Sequence, residues 1–405
     1  MTEMASQNPN LSGIALIRGQ PTSIQILILG TLINNFGNLI GPFMVVLLIQ
    51  KLHFETTFVG RIVSMFGLLV VASISVGGYL TDRIGRRKTL LLSLFGGGCA
   101  ALLLGFSEGR GSFLVLLAAF ALLTELFRPA SLALFADLVP EESRLQVLAT
   151  VRVAVNVGLT LSMVVGGILV DLNWKWLFWI DGTTTVLYGI IVFVSIAEPV
   201  HRAKASPAYV PSARTSPWTN FSFLVFLVGS LFYGIVYATH LTVLPLIVTQ
   251  HAKLSSSFLG LLLGYSCALC IVAEVWVTKR TGGYPTLWII ALGSSLVALG
   301  LSLSGYFLNE AWLFLMVTVW SLGEMLTVSR LMQFAANYAP SEYRGKFLGA
   351  WQSTIRFATV LSPIIFLSLY QGNNLMRVSW AIGGTGVIAV LSFSLLGMHC
   401  RRTAG

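Results

Sequence analysis

Apolar and polar residues along this chain alternate in long blocks, not at the short periods of a soluble amphipathic fold. Twelve apolar runs stand out, over 22–49, 58–80, 89–106, 112–138, 146–171, 175–197, 220–249, 257–278, 285–306, 311–337, 347–370 and 375–398. Each is long enough to cross a hydrocarbon core of ~30 Å as a helix. The pattern therefore predicts an all-α membrane protein with twelve transmembrane helices. The longest polar interruption, 198–219, contains Pro199, Pro207, Pro211 and Pro217 and reads as a flexible cytoplasmic linker. It separates an N-terminal six-helix bundle, 1–197, from a C-terminal one, 220–405. Residues 1–20 are polar and hold no apolar core of a signal peptide, so no cleaved leader is expected.

Composition agrees with the blocks. With 56% hydrophobic and only 10% charged residues the chain is far from the roughly one-quarter charged content of soluble proteins. The net charge of +10 reads as membrane topology, because the basic residues sit at the ends of spans and do not form an aromatic-lined soluble patch. No nucleic-acid partner is expected. With both termini in the cytoplasm, 15 of the 25 Lys and Arg fall on the inner side, 6 on the outer side and 4 within spans. The positive-inside rule selects that orientation. Cys267 and Cys270 have C-x-x-C spacing within an apolar run but lack further ligands, so a packing role is expected and no metal site. The chain shows no H-E-x-x-H, G-x-S-x-G or phosphate-loop motif in suitable context, so neither an enzyme nor an ATP-driven pump is expected. No cofactor is expected; a proton gradient is left as the driving force.

The two halves read as repeats. Asp137-Leu138-Val139-Pro140-Glu141-Glu142-Ser143-Arg144 recurs as Asn337-Tyr338-Ala339-Pro340-Ser341-Glu342-Tyr343-Arg344, at an offset of 200. Ser162 matches Ser362 at the same offset, and Glu125 matches Glu324 one residue out of step. The densest charge cluster, from Gly77 to Leu90, reads as a tight cytoplasmic loop between the second and third spans. Gly78 allows close helix approach there, and Gly85 a turn open to positive φ. A worn counterpart, Lys279-Arg280-Thr281-Gly282-Gly283, comes after the eighth span without the acidic residue. Such repeats fit two bundles around a central site that opens alternately to each side.

Gly78-x-Leu80-x-Asp82-Arg83-x-Gly85-Arg86-Arg87-Lys88, together with Pro140-x-x-x-Arg144 and Gly323-Glu324-Met325-Leu326, resembles the major facilitator superfamily. The likeness covers essentially the whole chain and is greatest to twelve-helix bacterial drug:proton antiporters. It implies the major facilitator fold, two six-helix pseudo-repeat bundles, and a conformational latch. In that latch Asp82 would meet the N-terminus of the eleventh helix, and Arg86 would pair with Asp137. One motif departs: where such antiporters carry Gly-Pro before a Gly pair, this chain has Ser162-Met163-Val164-Val165-Gly166-Gly167. Pro363 holds the repeat-equivalent position and is expected to kink the eleventh span.

Ionisable residues within spans are costly, ~2.5–3.5 kcal/mol each on insertion scales, and so should face a partner or a water-filled cavity. The resemblance puts Glu125 and Glu324 on the fourth and tenth helices along that cavity. Glu125 and Arg128 lie about 60° apart on one helix and form an ion pair, either as a permanent brace or as a pair that a proton or cationic substrate opens. Glu324 has no base one turn away; Arg330 is six residues on. Glu125, Glu324 and His240 are the proton-coupling candidates. Asn34, Asn35, Asn38, Arg128, Tyr233, Tyr237 and Arg330 are the candidates for lining a substrate cavity. Asp181 is assigned a structural hydrogen-bonding role. These features predict a secondary active transporter: proton-coupled efflux of small amphipathic molecules, with proton-coupled import of a nutrient or metabolite as the alternative. Its partners would be substrate, protons and the lipid bilayer. It would act as a monomer in a bacterial inner membrane.

Overall fold

The computed structural model describes residues 21–139, 144–197, 216–340, 343–370 and 374–404. The linker prolines Pro199, Pro207 and Pro211, the motif residue Pro140 and the terminal segment 1–20 lie outside the described residues. Among the described residues twelve helices are long and apolar enough to cross a membrane. They are α1 Thr22–Lys51, α2 Thr56–Arg83, α3 Arg86–Phe106, α4 Arg110–Phe135, α5 Thr150–Asn173, α6 Lys175–Ser195, α7 Phe221–His251, α8 Ser256–Arg280, α9 Thr286–Leu303, α10 Glu310–Tyr338, α11 Arg344–Leu369 and α12 Leu375–Cys400. The chain is an all-helical, multi-pass integral membrane protein. Its described residues group into two compact units, those within 1–42 and 69–203, and those within 43–68 and 204–405. Helices α1 and α2 thus each contribute to both.

In the first unit α3 packs along α6, and α1 along α5 and α6. Ile24, Leu27, Leu90, Leu94, Leu134, Phe135, Tyr188 and Val192 make a buried apolar core. With lipid as apolar as leucine, close backbone contact takes over much of the work of holding helices together. Gly158 of α5 shows it: a Cβ there would stand 2.7 Å from the Leu32 carbonyl oxygen and 3.0 Å from the Phe36 nitrogen. The tight turn between α2 and α3 is made at Gly85, with φ 105°, a conformation costly for residues with a Cβ. Gly78 does not serve the close approach expected of it, since a Cβ there would meet nothing within 4 Å. Its neighbour Gly77 does, lying 3.0 Å from the Leu126 Cα by the same measure; a one-residue step along a helix rotates the face by about 100°.

Prolines interrupt two helices of this unit. Pro42 has no N–H for the Asn38 carbonyl one turn back, and regular helix stops at Gly37 and resumes at Ile40. Asn38 bends there with φ −69° and ψ 66°, and Leu39 N–H reaches back to the Gly37 carbonyl at 2.6 Å, an inverse γ-turn. The orphaned Asn38 carbonyl takes the Ser162 hydroxyl instead, at 2.7 Å. In α4, Pro129 likewise has no N–H for the Glu125 carbonyl, which takes the Arg128 N–H at 3.4 Å, and regular helix is broken between Thr124 and Phe127.

In the second unit α9 packs between α10 and α12, α8 against α10, and α7 against α11 and α12. One end is filled by packed rings of Phe223, Phe226, Phe334, Tyr338, Phe347 and Phe393. At the other end of α7, Tyr370 lies 2.6 Å from His251 Nε2 and donates to Gln250 Oε1 at 3.3 Å. Burial pushes the Tyr370 phenol up to about 12. The first half of α2 joins this unit by donating the Ser64 hydroxyl to the Val360 carbonyl at 2.7 Å. Helix α11 runs through Pro363 as one continuous helix. Both α1 and α7 end in a five-residue π turn, Leu47–Lys51 and Ile247–His251, each succeeded by a residue with φ 54°, His53 and Lys253.

Candidate functional site

The repeat-equivalent carboxylates have different surroundings. Glu125 lies at the break in α4, where Arg128 Nε meets its Oε2 at 2.6 Å. The Arg128 side chain is 54% exposed and that of Glu125 23%, so the pair is partly exposed and satisfied on its own helix. Asn34, Asn35 and Asn38 share α1 near its interruption. Asn35 donates to the Thr31 carbonyl at 2.7 Å, as a helix side chain folding back on its own backbone. Asn34 reaches across to Thr185 of α6 at 3.5 Å. Asn38 is exposed.

Glu324 is half-buried on an uninterrupted α10. The Tyr237 hydroxyl of α7 donates to its Oε1 at 2.6 Å, and the Cys270 thiol of α8 approaches Oε2 at 3.9 Å. No arginine or lysine pairs with it among the described residues. Tyr237 is held in turn. Its ring stacks on Tyr233 at 5.9 Å, and its carbonyl lies 2.5 Å from His240 Nδ1. His240 stacks on Trp320 at 5.4 Å, one turn before Glu324 on α10. The Tyr233 hydroxyl and Trp320 Nε1 are buried without hydrogen-bond partners. Three helices therefore converge on one carboxyl group with two donors, an aromatic wall and no fixed positive charge. Such a group can take up a proton, or meet an organic cation, without first displacing a base.

The structure brings Tyr233, Tyr237, His240 and Glu324 together and leaves Arg330 apart. Arg330, expected on the substrate cavity, is 5% exposed. Its guanidinium donates to the Thr281 carbonyl at 2.6 Å and to Thr281 Oγ1 at 2.9 Å. It caps the C-terminal end of α8, where a cation suits the orphan carbonyls and the helix dipole. Sequence reasoning missed Trp320 and the role of Cys270. The i−4 spacing of Trp320 from Glu324 was the available signal for the first; nothing local announced the second. Near the α2–α3 turn, Arg86 forms an ion pair with Asp137 and also reaches the Ala133 carbonyl at 3.5 Å. Arg87 donates to the Phe193 carbonyl at 2.6 Å. Asp82 is exposed.

A family model described as Major Facilitator Superfamily matches residues 26–363. Among curated proteins, an uncharacterized MFS-type transporter of Bacillus subtilis, YhjO, is 27% identical over 322 residues, covering 78% of each chain. A Na(+), Li(+), K(+)/H(+) antiporter of Planococcus maritimus is 21% identical over 391 residues, covering 87% of this chain and 90% of its own. Among solved structures, a peptide transporter, POT, superposes with a TM-score of 0.80 at 16% identity over 95% of both chains. The nucleoside transporter NupG does so with a TM-score of 0.79 at 12% identity over 92% and 99%. At these identities the structural likeness speaks for the fold.

Proposed function

The chain belongs to the major facilitator superfamily, and from that premise we propose that this membrane transporter is a proton-coupled exporter of small amphipathic molecules working by alternating access. The observation that carries this reading is Glu324, a half-buried carboxyl served by Tyr237 and Cys270 and lacking a basic partner among the described residues. A proton and a cationic amphiphile would compete for it, with the Tyr233, Tyr237, His240 and Trp320 rings supplying apolar and cation–π contact. Proton exchange at such a group ties cargo binding to the gradient. The relative that bears the name of a cation/proton antiporter supports exchange as the mode. In this proposal 1–197 and 220–405 act as the two moving bundles, 198–219 joins them, and both termini lie in the cytoplasm of a bacterial cell whose inner membrane holds the protein as a monomer. Arg86, paired with Asp137, and Asp82 would act as the latch on the cytoplasmic side.

The second reading, import of a nutrient or metabolite, draws on the missing Gly-Pro pair in α5, where Ser162 stands. The test is a panel of compounds added to proteoliposomes while lumenal pH is monitored. Compound-evoked proton movement that disappears in Glu324→Gln supports coupling at this site; unchanged movement in that variant removes Glu324 from it. Gradient-driven uptake into right-side-out vesicles, in place of reduced cellular accumulation, would select import.

A further inference from the structure

We propose that Glu274 is the relay through which protons reach and leave Glu324, along a polar seam between α8 and α10; this inference rests on the reading of Glu324 as the proton-binding group. The seam is a run of side-chain contacts between the two helices. The hydroxyl groups of Tyr265 and Thr318 lie 3.0 Å apart, and those of Ser266 and Ser321 2.7 Å apart. Next come Cys270 and Glu324, with 3.9 Å between Sγ and Oε2. One turn further along α8, Ser329 donates its hydroxyl to Glu274 Oε1 at 2.8 Å. Thr281, held by Arg330, closes the series at the end of α8. Ser266, Cys270 and Glu274 follow at four-residue steps, the spacing that keeps side chains on one helix face.

The repeat shows that packing alone does not ask for an acid here. With the turn glycine Gly85 set against Gly282, Ser73 stands opposite Cys270 and Gly77 opposite Glu274, twelve and eight residues before the turn. In the first unit those two residues simply join α2 to α4. The Ser73 hydroxyl donates to the Leu122 carbonyl at 2.7 Å, and Gly77 lets the two helices touch. In the second unit the same two places hold a thiol and a carboxyl group. An ionisable group within a span is costly and is a usual mark of a proton path.

Cys270, which meets Glu324, and Glu274 are one turn apart, a rise of ~6 Å, and Glu274 acts electrostatically on Glu324. One intervening water or a change of rotamer bridges that gap. In the transfer the Glu274 carboxylate takes a proton from the aqueous side and hands it to the Glu324 carboxylate. Glu274 is then ionised again and Glu324 neutral; only O–H bonds are made and broken, and nothing is oxidised or reduced. Of the elements packed on α8, α10 brings Glu324 and Arg330 to this stretch, with Glu310 and Tyr338 at its two ends. His251, on the π turn of α7, meets the opposite end of α8, and α9 carries no titratable residue. On α8 itself Tyr265, Cys267 and Cys270 precede Glu274, and the exposed Lys279 and Arg280 come after it. Glu274 is thus the last acid of the seam before the end of α8, which the proposed topology puts in the cytoplasm.

The test uses the full-length protein in lipid, with protons themselves as the probe. A flash releases protons from a caged acid, and time-resolved infrared spectra follow the C=O stretch of each carboxylic acid that forms. The Glu324 band is the one missing from Glu324→Gln; if that variant loses no band, the reading of Glu324 fails and the relay with it. With the band assigned, Glu274→Gln, which keeps an acceptor for Ser329, should reach the same final amplitude but rise about a hundredfold more slowly, the low end of what a positioned acid–base group contributes. Ser329→Ala, which removes only the hydrogen bond, should rise at the wild-type rate. A wild-type rise in Glu274→Gln overturns the relay and leaves Glu324 as the proton site. Equal slowing in both variants also overturns it, because the Glu274–Ser329 contact would then be a structural bolt. Glu274→Ala is the second variant: its rate should recover in formate, a small acid that replaces the missing carboxyl group, and not in chloride of equal ionic strength. No recovery in formate sinks the idea even if Glu274→Gln fails to fold.

Discussion

Glu125 and Glu324 occupy near-equivalent places in the two repeats, yet the fold treats them differently. Glu125 sits on a helix broken by Pro129 and is neutralised three residues on by Arg128. Glu324 sits on an unbroken helix and is met by a phenol and a thiol from two neighbouring helices. An ion pair between residues three apart on one helix holds mainly its own turn. A carboxyl without a base is costly in a membrane unless it carries a proton or a cation for part of the cycle. Repetition of a sequence position thus does not repeat its surroundings: one carboxylate is paired on its own helix, and the other has no basic partner among the described residues.

The largest effect expected from breaking this asymmetry is in Glu324→Gln, which should abolish pH-gradient-driven transport in proteoliposomes while thermal unfolding in detergent stays near wild type. Full coupling in this variant would reverse the assignment of the two carboxylates. Next is Glu125→Gln, which leaves Arg128 unpaired within a span and should lower transport strongly. The double variant Glu125→Gln with Arg128→Gln should recover most of that loss, because the cost lies in the orphaned cation. If the double variant is as inactive as the single one, Glu125 has a coupling role of its own.

Tyr237→Phe is a finer probe. A hydrogen bond to a charged group contributes ~1.5–3 kcal/mol, so exchange should fall by about tenfold or more, with the protein still folded. An unaltered rate would mean that Tyr237 only packs. The smallest effect is expected from Arg86→Gln near the α2–α3 turn. The Arg86 and Asp137 side chains are 21% and 29% exposed, and loss of their pair should lower the melting temperature by only a few degrees. A charge exchange, Arg86→Asp with Asp137→Arg, should restore part of it.

Much of this architecture was legible in the chain. The apolar runs over 22–49, 58–80 and 257–278 correspond to Thr22–Lys51, Thr56–Arg83 and Ser256–Arg280, because crossing a bilayer demands length and apolarity that few other structures need. The positive φ of Gly85 could be read from the turn it had to make. What stayed hidden was rotation about each helix axis. Tyr237 and Glu324 are 87 residues apart, and only the packing of α7 on α10 turns them toward each other. Arg330 was misplaced for the same reason: its position within a span was readable, its contact with Thr281 was not. The gaps in α1 and α4 were signalled by Pro42 and Pro129, but a proline states only that a main-chain bond is missing. Which side chain replaces it, Ser162 in the first case, depends on a helix more than a hundred residues away.

The π turns at the ends of α1 and α7 carry a record of a different kind. An i→i+5 bond makes a wider turn than an α-helix and is one way for a helix to end. Leu47–Lys51 and Ile247–His251 stand at one register in the two halves, each succeeded by a residue with φ 54°. That coincidence carries the repeat of the two halves to the ends of their first helices. It also makes the molecule its own control. Removing one residue from either turn should relax it to α geometry and swing the chain beyond it by about 100° around the helix axis, while the untouched copy reports how the intact version behaves in the same membrane.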